Sequence, residues 1–112
     1  MQPRFPMESE LSMQADVKPR VPAELAELRG EIDRIDAEIM DALARRFAVT
    51  DKVGRLKAEH GLNSVDPVRE QEKLQDLRRM AVEQGLNADF IHSLFQHLFN
   101  EVVKNHRSFL VK

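Results

Sequence analysis

The sequence contains no cysteine, no tryptophan and no tyrosine, and it has no long apolar run. Without cysteine, disulfide scaffolds and thiolate metal sites are excluded. A membrane-spanning helix needs about 18 or more apolar residues, whereas no uninterrupted apolar run here exceeds three. A formal net charge of -2 gives no reason to expect nucleic acid as a partner, and the lack of a long apolar run gives none to expect a membrane. The class that remains is one small soluble domain of 112 residues, which we expect in the cytoplasm.

The first 21 residues have the composition of a disordered tail. They contain Pro3, Pro6 and Pro19, scattered charges, no apolar periodicity and no apolar segment of the kind found in secretory signals. The structured domain is therefore expected to span residues 22–112, with Pro22 suited to the first turn of a helix.

The rest of the chain predicts an all-α fold, since it contains helical periodicity and no strand pattern. Residues 23–59 lack proline and carry apolar residues at steps of three and four, with acidic residues crowding the first half and basic residues the second. This pattern predicts one long helix, with Gly61 as the residue that ends it.

Two further helices are predicted from their starting residues. Asp66 followed by Pro67 has the chemistry of an N-cap and a first helical residue, which predicts a short helix that runs to about Gln84. Asn87 is expected to cap a third helix of medium length, whose wide apolar face extends to Phe109.

Two cations interrupt the apolar stripe of the long helix. At about 100° per residue from Leu25, the stripe lies between about 280° and 340°, with Arg46 near 300° and Lys57 near 320°. A buried guanidinium without an anionic partner is costly. Arg46 therefore pairs either with an internal Asp or Glu or with a bound anion. Lys57, near the helix end, either reaches solvent or joins Arg46 at that anion.

Arg29 lies at the edge of the same stripe, 17 residues before Arg46, which is about 26 Å along the helix axis. From its own chain it cannot reach an anion gripped between Arg46 and Lys57, which are about 16 Å apart. A second chain with its long helix antiparallel would bring its own Arg29 to that anion. Three helices are also few to enclose so much apolar surface. The anion site and a homodimer therefore imply each other.

Arg69 and Glu70 fall in the first turn of the second predicted helix. Glu70 either interacts with the positive end of the helix dipole or holds a ligand. Arg69 is either solvated or part of the same ligand site. The helix N-terminus also offers free backbone N–H groups, which are useful to an oxygen-rich ligand, so both interpretations stay open at this point.

Three segments resemble those of a known family in order and spacing. Residues 25–46, LAELRGEIDRIDAEIMDALARR, resemble the opening helix of the all-helical (AroQ-type) chorismate mutases. Residues 53–57, VGRLK, resemble the Val-Gly-x-x-Lys segment of that family, and residues 66–70, DPVRE, resemble the opening of its second helix. The resemblance covers about residues 23–107.

This resemblance implies an intertwined homodimer of three-helix chains, with active sites shared between the chains. The implied reaction is the Claisen rearrangement of chorismate to prephenate, in the biosynthesis of phenylalanine and tyrosine. It is unimolecular and needs no cofactor, no metal and no covalent intermediate. The enzyme holds the folded substrate and stabilises charge as the ether bond breaks.

Carried over to this sequence, the arginines of the family fall at three positions. Arg46 and the partner's Arg29 match the residues that bind the two carboxylates of the substrate, for which a planar guanidinium is well suited. Arg69 matches a supporting cation near the carboxylates.

The other matched positions face the reacting bond and the ring. Lys57 matches the lysine that donates to the ether oxygen, where negative charge develops. Glu70 matches the residue that holds the ring hydroxyl, helped by the backbone at Asp66. The predicted catalytic residues are Lys57, Arg46, His106 and Glu70.

The third helix departs from the family pattern, which often places a Ser and, one turn later, a Gln or Glu against the substrate. Alignment through Phe95 puts Val102 and His106 at these positions. Val102 cannot hydrogen-bond, so one carboxylate contact is lost or comes from elsewhere. His106 either donates to the ether oxygen or is a helix-end histidine. Asn105 takes the donor role if the register is off by one.

Two other functions are compatible with the same residues. An isochorismate-pyruvate lyase shares this fold and most of its charged site, but its family usually carries Gln where His106 stands. A non-catalytic helical dimer that regulates another shikimate-pathway enzyme is favoured by Val102 and opposed by the intact set of charged residues. The chain is too short for a fused dehydratase or dehydrogenase, which predicts a stand-alone mutase, either free or docked onto a partner enzyme.

Overall fold

The computed structural model describes residues 22–109, so the predicted tail at residues 1–21 and the last residues, 110–112, lie outside the described part. The described chain forms three α-helices, α1 (Ala23–Glu59), α2 (Pro67–Glu83) and α3 (Ala88–Ser108). Residues 22–109 contain no strand, and none of these helices has an apolar stretch long enough to cross a bilayer. The prediction of an all-α fold with one long, one short and one medium helix is confirmed.

The starts of α2 and α3 follow from capping chemistry. The Asp66 carboxylate accepts a hydrogen bond from the backbone N–H of Arg69 at 3.2 Å, and Pro67 occupies the first helical position. The Asn87 side chain accepts from the backbone N–H of Phe90 at 2.8 Å. Each cap satisfies a backbone donor that has no partner within its helix.

Glycines at positive φ follow α1 and α2. Gly61 has φ 66° and Gly85 has φ 73°, a conformation that only glycine adopts at little cost. Behind each glycine the chain turns back, so that Leu62 N–H donates to the Lys57 carbonyl at 2.8 Å and the equivalent bond closes α2. The loop between α1 and α2 is therefore fixed at both ends, by the turn at Gly61 and by the Asp66 cap.

The chain divides between Ile39 and Met40 into two structural units. The described part of the first unit is residues 22–39, the opening turns of α1. Its apolar side chains Leu28, Ile32 and Ile35 are each more than half exposed in the single chain. The buried side chains found among residues 22–109 all belong to the second unit.

The core of the second unit joins α2 to α3. Leu74, at 2% exposure, and Leu77 from α2 pack with Phe99 from α3. The Phe95 and Phe99 rings meet edge to face, with their centroids 6.3 Å apart. Each fully buried side chain of this size contributes about 1.5–3 kcal/mol by removal from water. This core fixes the position of α3 against the middle of α2.

The C-terminal part of α1 approaches the end of α3 closely at Gly54. Gly54 is buried, and a Cβ built there would lie 2.8 Å from the Phe109 ring and 2.9 Å from Cγ of His106. Only a residue without a side chain allows this approach. Beside it, Nε2 of His106 and the carbonyl of Thr50 are 2.7 Å apart. Since a carbonyl only accepts, Nε2 carries the proton and donates.

Candidate active site

A cavity of about 230 Å³ lies in the second unit, lined by side chains from α1, from the loop before α2, from α2 and from α3. It contains a majority of the residues that the sequence singled out. Seven of the eight predicted site residues line it: Arg46, Lys57, Asp66, Arg69, Glu70, Val102 and His106.

Arg46 projects from the middle of α1 into this lining. Its guanidinium carbon lies 5.7 Å from the centroid of the Phe99 ring, a cation–π arrangement. Nη1 is buried and has no hydrogen-bond partner among the described residues. Burial lowers the pKa of the Arg46 guanidinium from its ordinary value, because desolvation penalises the charged form. A buried donor without an acceptor favours the bound anion over the internal carboxylate partner.

Cations outnumber carboxylates in the lining. The lining contains two acidic residues, Asp66 and Glu70, and four cations: Arg46, Lys57, Arg69 and Lys73. The ion pairs formed among residues 22–109 all join side chains outside the lining. The cavity therefore presents an excess of positive charge that suits a ligand with two anionic groups.

The start of α2 supplies the acidic side of the cavity. The Asp66 carboxylate is engaged in capping the helix, whereas Glu70, one turn further on, is half-buried and forms no ion pair within the described residues. An ionised carboxylate accepts hydrogen bonds, so Glu70 can hold a ligand hydroxyl. Within the described part of the chain, no three His, Asp or Glu side chains are arranged to hold a metal ion.

His106 lies in the lining, but its ring is turned to the protein rather than offered to a ligand. It is 4% exposed, and Nε2 donates to the Thr50 carbonyl. Nδ1 is buried without a partner among residues 22–109, and in the neutral ring it is an acceptor. The structure thus presents no free N–H of His106 to the cavity. The neighbouring Asn105 is half-buried and is not part of the lining.

The α3 wall of the cavity is apolar. Val102, Val103 and Phe99 line it together with His106. The valine at position 102 therefore gives this wall shape but no hydrogen bond, as the sequence indicated.

Arg29, the eighth predicted site residue, is not among the residues that line this cavity in the single chain. It lies in the first unit and is exposed. Its role as a residue contributed by a second chain stays a prediction.

Three polar lining residues were missed by the sequence analysis. Lys73 follows Glu70 by three positions and Arg69 by four, so its place on the same face of α2 was readable from helical spacing. Thr50 follows Arg46 by four positions on α1, which is the same signal. Ser64 is buried in the loop before α2, and no periodic pattern marks a loop residue.

A second cavity of about 290 Å³ adjoins the first and shares Glu70 and Val103 with it. Its other residues include Lys104 and Arg107 from α3. Lys104 is partly engaged, since its Nζ lies 3.9 Å from the carboxylate of Glu101. Glu70 therefore stands between two spaces that are both bordered by cations.

Comparison with known proteins shows which proteins this chain is similar to. Residues 28–107 match the family model described as chorismate mutase type II. The chain is 35% identical over 85 residues to the T-protein of Haemophilus influenzae, covering 76% of this chain and 22% of that protein. The chain thus spans about a fifth of the length of this relative.

Two shorter relatives are matched over most of their length. An isochorismate pyruvate lyase of Pseudomonas aeruginosa is 37% identical over 76 residues, which cover 68% of this chain and 74% of the lyase. A chorismate mutase of Methanocaldococcus jannaschii is 31% identical over 74 residues, which cover 66% of this chain and 75% of the mutase.

Proposed function

Because the chain belongs to the chorismate mutase type II family, we propose that it catalyses the rearrangement of chorismate to prephenate. The observation that carries this proposal is the cavity of the second unit. It is lined by four cations that form no ion pair within the described residues, beside one acidic residue that is free to accept a hydroxyl. This charge pattern matches a small dianion that carries a ring hydroxyl.

Arg46 binds one carboxylate of the substrate. Its buried Nη1 has no acceptor among the described residues, so a carboxylate offers it the charge-assisted hydrogen bond that it lacks. The second carboxylate is bound by Arg29 of the partner subunit, with Arg69 as a supporting cation. Fixing both carboxylates holds the substrate in the folded conformer, in which the two carbon atoms that bond are close together.

Lys57 donates to the ether oxygen. This oxygen gains negative charge as its bond to carbon breaks, so a fixed ammonium stabilises the transition state more than the ground state. Glu70 accepts a hydrogen bond from the ring hydroxyl and sets the orientation of the ring. No proton needs to be transferred, since the bond changes are internal to the substrate.

The α3 wall contributes shape more than hydrogen bonding. With Nε2 of His106 committed to Thr50 and Nδ1 covered, Lys57 is the main donor to the ether oxygen. Val102 packs against the substrate without a polar contact. His106 is a positioning residue: its hydrogen bond to the Thr50 carbonyl joins α3 to α1 and so holds this wall in place.

A homodimer completes the site. The exposed stripe of Leu28, Ile32 and Ile35 in the first unit is the surface that a second copy of the chain covers. Burying such a stripe stabilises the dimer by about 25 cal/mol for each Å² of apolar surface removed from water. The same association delivers Arg29 to the cavity of the partner.

Incubation with chorismate and, separately, with isochorismate tests the function, with the products separated by chromatography. We expect prephenate from chorismate. Release of pyruvate and salicylate from isochorismate, with no prephenate from chorismate, would instead support a lyase, the activity named for the Pseudomonas relative. Conversion of neither compound would contradict the proposal and favour a non-catalytic regulator.

A further inference from the structure

Lys73 is the lining cation that the family resemblance does not account for. It stands on α2 between the core residue Leu74 and the site residues of the first turn, and it is half-buried. It forms no ion pair within residues 22–109. The lysine is therefore held at the cavity as an available charge.

The position of Lys73 puts this charge beside the group that holds the ring substituent. Residues three and four apart on a helix are neighbours, with Cβ atoms about 5–6 Å apart. Lys73 is thus next to Glu70 and next to Arg69 on the cavity face of α2. Glu70 alone would attract an ammonium group as readily as a hydroxyl. With a cation on the following turn and another directly before it, Glu70 instead faces a region of positive potential.

We propose that Lys73 is a specificity-determining residue, which selects a substrate whose ring substituent is an uncharged hydroxyl over an analogue that carries an ammonium at the same position. This inference rests on the proposed function and names the substrate class of that site. The matching analogue is the 4-amino-4-deoxy form of chorismate, since an aliphatic amine is protonated at neutral pH. The analogue keeps both carboxylates, so only the ring substituent distinguishes the two compounds.

The test compares kcat/KM for chorismate and for 4-amino-4-deoxychorismate in the wild-type protein and in Lys73→Gln. Glutamine keeps most of the length of the side chain and removes its charge. We expect the wild type to prefer chorismate and the preference to fall at least tenfold in Lys73→Gln. Lys73→Arg should keep the wild-type preference, because the charge is retained.

Lys52→Gln is the matched control, because Lys52 is an exposed lysine of α1 outside the cavity lining. It removes the same net charge and should leave the preference unchanged. A Lys73→Gln protein with the wild-type preference, or an equal shift in Lys52→Gln, overturns the inference while chorismate turnover still upholds the proposed function. A wild-type protein that does not convert chorismate overturns both.

Discussion

The two parts of α1 carry one apolar repeat but meet different surroundings. In residues 23–39 the apolar side chains are exposed in the single chain, and Ile32 is 54% exposed. In residues 40–59 the same helix carries the buried Gly54 against α3 and turns Arg46 and Lys57 to the cavity. One helix therefore supplies both an exposed apolar stripe and two cations of the cavity.

This difference separates the features that the single chain accounts for from those that we assign to the proposed homodimer. The second unit has its own core, its capped helices and a cavity rich in cations. The first unit offers an apolar stripe and Arg29, neither of which has a function that the single chain explains.

Removal of the cavity cations should have the largest effect. Arg46→Ala and Lys57→Ala are each expected to lower kcat for chorismate by about 10²–10³, or about 3–4 kcal/mol, because a charge-assisted contact made in the transition state is lost. Turnover is measured together with far-ultraviolet circular dichroism, which should show intact helices. Lys52→Ala is the control, and near-wild-type activity in Lys57→Ala would contradict the role of Lys57.

A charge in the exposed stripe should break the association. Ile32→Asp is expected to raise the dimer dissociation constant at least about 100-fold, because an ionised carboxylate buried without a partner is costly. Sedimentation equilibrium measures this constant. Ala37→Glu adds a charge about 140° away around the same helix and should leave the dimer intact. A dimer unchanged by Ile32→Asp would show that the stripe is not the interface.

Two glycines of α1 provide a matched pair of substitutions. Gly54→Ala is expected to destabilise the protein by about 1–3 kcal/mol, because its Cβ overlaps the rings of Phe109 and His106. Gly30→Ala meets only the Arg34 guanidinium, at 3.6 Å. It should stabilise the protein by about 0.5–1 kcal/mol, since alanine is the better helix former. Urea unfolding measures both, and equal effects at the two positions would contradict the close packing at Gly54.

His106→Phe should have the smallest effect on turnover and separates two roles for this residue. The ring and its packing are kept while the hydrogen bond to Thr50 is lost, so we expect a loss of about 1 kcal/mol of stability and chorismate turnover within about threefold of wild type. His97→Phe, at an exposed position of α3, is the control. A tenfold or greater fall in kcat with unchanged stability would instead restore His106 as the donor to the ether oxygen.

Local chemistry made the fold predictable. The caps Asp66 and Asn87 and the positive-φ residues Gly61 and Gly85 each act within a few residues of their position, so the helix boundaries could be derived from the sequence. Arg46 and Lys57 were recognised for the same reason, because a cation in an apolar stripe is a visible break in the pattern.

Contacts between helices could not be derived in the same way. The ring of His106 is directed to Thr50, 56 positions earlier in the chain, and the approach at Gly54 decides this orientation. The sequence placed His106 in the site but left its two roles open. Whether Ser64 reaches the cavity likewise depends on how the loop before α2 lies against the other elements.

Mixing two inactive variants tests the central claim most directly, namely that the cavity of one chain is completed by Arg29 of a second chain. In a heterodimer of Arg29→Ala and Arg46→Ala chains, one site carries both lesions and the other carries none. Each variant alone is expected to be nearly inactive on chorismate. The mixed sample should recover activity in proportion to the heterodimer that native mass spectrometry detects. Heterodimers that form and recover no activity would contradict the shared site.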